Sequence, residues 1–133
     1  MWLPAGTKDE WMSDTVSPVF SRAAIENLRV DNAPLREGPG HSNFAFRKTE
    51  TPDGSPVKAV GFVTLEPGSR LRMHRHVDEG EMYYVLSGSG EYYDNDGRTW
   101  PVSPGDVALC LRGDRHGICN TGSVPLVFMG VVS

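Results

Sequence analysis

Cysteine is scarce: the chain has only Cys110 and Cys119 among its 133 residues. They flank the Leu111 to Arg115 loop, and a symmetric hairpin there would set Cys110 opposite His116 rather than Cys119. The pair therefore reads as reduced thiols, which points to the cytoplasm. No apolar run approaches the roughly 20 residues of a membrane span, and the N-terminus lacks a signal-peptide core. Positive charge is not in excess. Thirteen Lys and Arg against 17 Asp and Glu give a formal net charge of −4, which argues against binding a nucleic-acid backbone. There is no Gly-x-Ser-x-Gly elbow, no phosphate loop and no His-Glu-x-x-His helix. Any chemistry must come from another set of groups.

Glycine and proline are plentiful, at 15 and 10, and such frequent turns suit short strands better than long helices. The length allows one domain with one core. Residues 1–42 read as an N-terminal arm, a short helix and a loop, and residues 43–133 as a β-barrel domain. Met1 to Pro18 has no clear period. It reads equally as a flexible arm, as a start preceding an initiator at Met12, or as an arm packing Trp2 or Trp11 onto another subunit. Ser21 can cap a helix over Arg22 to Leu28. Strands are expected over Asn43 to Lys48, Val57 to Leu65, Leu71 to His76, Glu81 to Leu86, Glu91 to Asp94, Arg98 to Val102, Val107 to Leu111, His116 to Asn120 and Val124 to Val132. Asn95-Asp96-Gly97 is a strong hairpin signal.

The chemistry gathers between Gly68 and Gly88. His74 and His76 lie two apart, so on a strand both imidazoles share a face. Glu81 opens the next apolar run and can start a return strand, on which Glu81, Tyr83 and Val85 share a face. Two imidazoles and a carboxylate converging from adjacent strands are a metal-ligand set that suits Mn, Fe, Co, Ni or Zn. His116, brought in from a distant strand, would complete a set of three His and one Glu. Glu79 is the backup should Glu81 be misassigned. Otherwise Asp78 and Glu79 are expected to face water from their turn, and His41 to lie in an exposed loop.

These residues resemble the cupins. The family's first motif is Gly, five residues, His-x-His, three or four residues, Glu, six residues, Gly. It matches Gly68, His74, His76, Glu81 and Gly88 at every position. The second is Gly, five residues, Pro-x-Gly, two residues, His, three residues, Asn. It matches Gly105, Gly113, His116 and Asn120, with Leu111 where the family usually has Pro. The resemblance covers roughly Phe44 to Val132. It implies an all-β jelly-roll barrel, a double-stranded β-helix, with one divalent metal (Fe, Mn, Ni, Co or Zn) on His74, His76, Glu81 and His116.

Arg72 has the strand parity of His74 and His76; turned inward, its guanidinium could grip a carboxylate, and it reads equally as a residue near the barrel mouth, paired or solvated. Tyr83 shares parity with Glu81 and could donate a hydrogen bond or act as an acid. Arg72 and Tyr83 are thus the candidate catalytic residues. Phe62, Val85 and Ile118 read as wall or core, and Asn120 as serving the turn at Thr121-Gly122. The leading expectation is a small metal-dependent enzyme acting on a carboxylate- or enol-bearing metabolite, with dioxygenase-like chemistry ahead of isomerase, decarboxylase or lyase. The alternative is a non-catalytic cupin that binds or senses a small molecule or sugar. An inward Arg72 would favour the first, and a wide apolar pocket without a polar group beside the metal the second. A homodimer is expected, with no nucleic-acid or membrane partner.

Overall fold

Period-two apolar patterning carries the chain into eleven short strands and one helix among residues 17–133, which the computed structural model describes. Helix α1 spans Arg22–Asn27, and the Ser21 side chain caps it by accepting from the Ala24 N–H at 3.1 Å. The strands are β1 (Arg29–Val30), β2 (Arg36–Glu37), β3 (Gly40–Phe46), β4 (Ala59–Leu65), β5 (Arg70–Arg75), β6 (Glu81–Ser87), β7 (Gly90–Tyr93), β8 (Thr99–Val102), β9 (Val107–Cys110), β10 (Arg115–Cys119) and β11 (Leu126–Val132). All pair antiparallel. They form a six-stranded sheet in the order β1-β3-β4-β11-β6-β9 and a five-stranded sheet in the order β2-β5-β10-β7-β8. The fold is a double-stranded β-helix, or jelly-roll barrel.

The core lies between the sheets. Leu65, Val85, Ile118, Leu126 and Phe128 are almost wholly buried. Along β11 the inward positions Leu126, Phe128, Gly130 and Val132 alternate with more exposed ones, as a sheet packed on one face requires. The stretch read as a loop before β3 contributes two short strands instead. β1 pairs with β3 and β2 with β5, so the segment is tied to both sheets.

Two expected hairpins are absent, for one reason. β5 and β6 are not neighbours: β5 lies between β2 and β10, and β6 between β11 and β9. The chain between His76 and Glu81 crosses from one sheet to the other. β9 and β10 are likewise in different sheets, so Cys110 pairs in register with Glu81 rather than facing His116. Both thiols are free. Local turn signals cannot distinguish a hairpin from a crossover. The Asn95-Asp96-Gly97 turn does close a hairpin, joining β7 to β8 with Gly97 at φ 77°. Among the described residues no helix is long and apolar enough to cross a membrane.

Candidate metal centre

The crossover gives the site its geometry. His74 and His116 face each other in register on β5 and β10. His76 follows the end of β5, where its backbone is clamped to the loop before β10: the His76 N–H donates to the Asp114 carbonyl, and the Gly113 N–H donates to the His76 carbonyl. That loop closes without the family's usual proline, by the Asp114 N–H donating to the Leu111 carbonyl at 2.9 Å. Glu81 opens β6 in the opposite sheet and points across the barrel. One ligand atom from each of His74, His76, Glu81 and His116 falls within 4.8 Å of every other.

Hydrogen bonds turn the rings. His74 Nδ1 lies 2.7 Å from the Arg72 carbonyl. A carbonyl only accepts, so Nδ1 carries the proton and Nε2 is left with its lone pair. His76 Nδ1 donates in the same way to the Glu79 carboxylate at 2.9 Å. His116 Nδ1 lies 2.8 Å from the Tyr92 hydroxyl, which can accept its proton. Orienting partners of this kind fix the tautomer of metal-ligating histidines.

The Nε2 atoms then crowd together. His76 Nε2 and His116 Nε2 are 3.0 Å apart, and they lie 2.9 and 3.1 Å from Glu81 Oε1. With the protons on Nδ1, all three of these atoms are acceptors. Acceptors at such distances repel unless a cation or proton sits between them. Cis donors around an ion with bonds of about 2.1 Å are themselves about 3.0 Å apart. The residues present therefore fit a divalent transition metal. The Glu81 carboxylate raises the pKa of His76 against the opposing effect of burial. Burial pushes Glu81 up, but the neighbouring His116 and His76 imidazoles outweigh it and hold the carboxyl at about 2. Burial lowers His74.

A cupin-domain family model matches residues 61–132, more than half of the chain. The chain belongs to the cupin family. It is 31% identical over 121 residues to an oxalate-binding protein of Thermotoga maritima, covering 91% of this chain and 98% of that one. It is 28% identical over 126 residues to a gentisate 1,2-dioxygenase of a Ralstonia species, but spans only 33% of that protein. Among solved structures it resembles a predicted oxalate decarboxylase from Thermotoga maritima at 32% identity and a TM-score of 0.68, covering 78% of this chain and 88% of the other.

In this cupin the four predicted ligands converge, whereas Arg72 stays apart. Period two fails inside β5. The pairs Leu71↔Ile118 and His74↔His116 leave one more residue on β5 than on β10, which is a β-bulge. The bulge puts Leu71 on the inner face with His74 and leaves the Arg72 side chain exposed outside. Gly117 makes room for it, since a Cβ there would lie 3.0 Å from the Leu71 carbonyl oxygen. Arg72 serves the centre through its backbone carbonyl alone.

Tyr83 is 2% exposed and stacks on the His116 ring at 4.7 Å, with its hydroxyl 3.4 Å from His116 Nε2. Burial raises its pKa well above the ordinary value, so the group stays protonated. Two residues have roles that sequence reasoning missed. Glu79 does not face water. It is 9% exposed and bridges His76 and Lys48, which lies 3.0 Å from it. Its position three residues after His76 was the one available signal. Tyr92 had none, because its place beside His116 depends on the β7–β10 register. A cavity of about 340 Å³ opens on the centre, walled by Leu35, Phe44, Ala59, Val63, Leu71 and Val132.

Proposed function

We propose that His74, His76, Glu81 and His116 hold one divalent transition metal (Fe, Mn, Ni, Co or Zn) and that the protein binds a small carboxylate or enolate there. The observation that carries this reading is the orientation of three imidazoles, each with Nδ1 engaged elsewhere and Nε2 free for the ion. A bound divalent metal supplies Lewis acidity and, where it is iron, access to oxygen chemistry. The chain does the rest. Arg72, Glu79 and Tyr92 keep the rings turned. Tyr83 offers a neutral hydroxyl that can donate to a ligand oxygen. The apolar walls exclude water, which strengthens charge pairing inside.

Binding comes before catalysis in this reading. The enzyme expectation leaned on an inward Arg72, whose side chain lies outside the cavity. The name of the Thermotoga maritima oxalate-binding relative supports the same order. A dioxygenase-like enzyme is the second reading, supported by Tyr83 beside the ligands and by the gentisate dioxygenase relative. The test is to load the protein with each metal, titrate oxalate and the 2-oxo monocarboxylates pyruvate and 2-oxo-4-methylpentanoate by calorimetry, and follow oxygen uptake and ligand loss. Binding without turnover supports the first reading, turnover supports the second, and neither would refute both.

We also propose a cytoplasmic homodimer. The free thiols support the compartment. The outer face of the six-stranded sheet supports the dimer. It carries adjacent rows of Phe62, Met129, Tyr84 and Val107, and of Val60, Val131, Met82 and Leu109, aligned by register. Neither row holds a charge, and Val107 and Leu109 are 60% and 64% exposed. An apolar face of this kind can be covered by the same face of a second copy about a two-fold axis. Trp2 and Trp11, expected in the interface, lie outside the described residues. Phe20 packs on Phe46 of its own chain at 5.3 Å. Light scattering at micromolar concentration should give a dimer for the wild type and a monomer for Leu109→Lys. A monomeric wild type would refute the proposal.

A further inference from the structure

The wall of the cavity says more about the ligand than the metal ligands do. The set His74, His76, Glu81 and His116 contains one carboxylate, so a divalent cation held there keeps one net positive charge. A monoanion neutralises it. A dianion leaves a net negative charge in a low-dielectric pocket, which is costly without a partner.

Among the described residues, the Lys and Arg side chains of the wall are already paired. Arg47 is tied to Glu50 at 2.8 Å, and Lys48 to Glu79 at 3.0 Å. Lys58 sits 3.8 Å from the other Glu79 oxygen and also donates to the Asp78 carbonyl. The Arg72 side chain is outside. Ser42 and Tyr83 bring hydroxyls to the lining, which can donate a hydrogen bond but carry no charge.

The space points the same way. About 340 Å³ lies within the range of small-molecule sites, about 300–1,000 Å³, and oxalate would leave much of it to water against apolar walls. The wall is built to be covered. Phe44 lies over Gly61, where a Cβ would come within 2.8 Å of its ring, and the ring faces the cavity beside Leu35, Val63 and Leu71.

We infer that the site selects a monocarboxylate with an apolar body, of the 2-oxo or 2-hydroxy acid class, rather than oxalate or another small dicarboxylate. The head of such an acid chelates the metal and balances its charge. The body fills the space lined by Leu35, Phe44, Val63 and Leu71. This inference rests on the proposed metal centre.

The test begins by fixing metal content at one ion per chain by elemental analysis. The loaded protein is then titrated by calorimetry with oxalate, pyruvate, 2-oxobutanoate, 2-oxo-4-methylpentanoate and phenylpyruvate. Each affinity is divided by that ligand's affinity for the free ion in the same buffer. The ratio should climb roughly threefold to fourfold for each methylene buried and be lowest for oxalate. Phe44→Ala should shrink the gain of 2-oxo-4-methylpentanoate over pyruvate by about tenfold. A ratio independent of the tail, or highest for oxalate, overturns the selectivity while leaving the metal centre standing. Failure to take up metal overturns both, and the elemental analysis tells the two failures apart.

Discussion

The two ends of β10 each bury a polar residue to the same depth, with opposite results. His116 and Asn120 are both 1% exposed. The Asn120 amide is fully used: its Nδ2 donates to the Leu65 and Val124 carbonyls, and its Oδ1 accepts from the Gly122 N–H. Nothing is left over, so the residue holds the turn between β10 and β11 against the end of β4. His116 is half used. Nδ1 has Tyr92, but Nε2 faces the other three members of the cluster and the Tyr83 hydroxyl. Burial alone thus does not separate structural from functional polar groups. What separates them is whether the chain itself satisfies the group.

Substitutions at either end should therefore fail in different assays. The largest effect is expected for His116→Ala. Its metal affinity should fall by more than about 100-fold, beyond the loss usual for an orienting partner. Its metal-free stability should fall by only about 1 kcal/mol, because the change also relieves the crowding of acceptors. Calorimetric metal titration and thermal melts of the same sample check both halves. Asn120→Ala should reverse the pattern. It strands two carbonyls and an N–H, at about 2–4 kcal/mol, and should lower Tm by about 10 °C with metal affinity of the folded protein retained. A metal loss equal to that of His116→Ala would erase the contrast.

Smaller effects sharpen it. Glu79→Gln weakens the hold on His76 Nδ1 and should reduce metal affinity about tenfold to 100-fold, measured by chelator competition. Arg72→Ala should change metal affinity less than about twofold, since only the carbonyl of that residue reaches His74. A tenfold loss there would mean that the side chain reaches the centre after all.

The sequence made one class of feature legible and hid another. Strand positions, the Asn95-Asp96-Gly97 hairpin and the four-residue cluster could all be read, because alternation and motif spacing are local. The partners of β5 and β9 could not. A four-residue connection reads the same whether it closes a hairpin or crosses between sheets, so Glu81 was read on a strand beside His74 when it faces His74 from the opposite sheet. Arg72 was misread for a related reason. Period two holds only until a bulge, and this bulge depends on Gly117, a residue of β10 distant in sequence. Tyr92 and Lys48 were out of reach because they act through tertiary contacts, Tyr92 on the His116 ring and Lys48 on the Glu79 carboxylate. Glu79 sat in plain view and was assigned to water, since a carboxylate in a turn gives no local sign of burial.

The central claim is that the chain presents three Nε2 atoms and one Glu81 oxygen to a single ion. The most direct test is a crystal structure of the metal-loaded protein with anomalous data at the metal's absorption edge. The account predicts one anomalous peak per chain, about 2.0–2.2 Å from Nε2 of His74, His76 and His116 and from a carboxylate oxygen of Glu81. A peak bonded through Nδ1, or to Glu79 in place of Glu81, or away from the cluster, would contradict it.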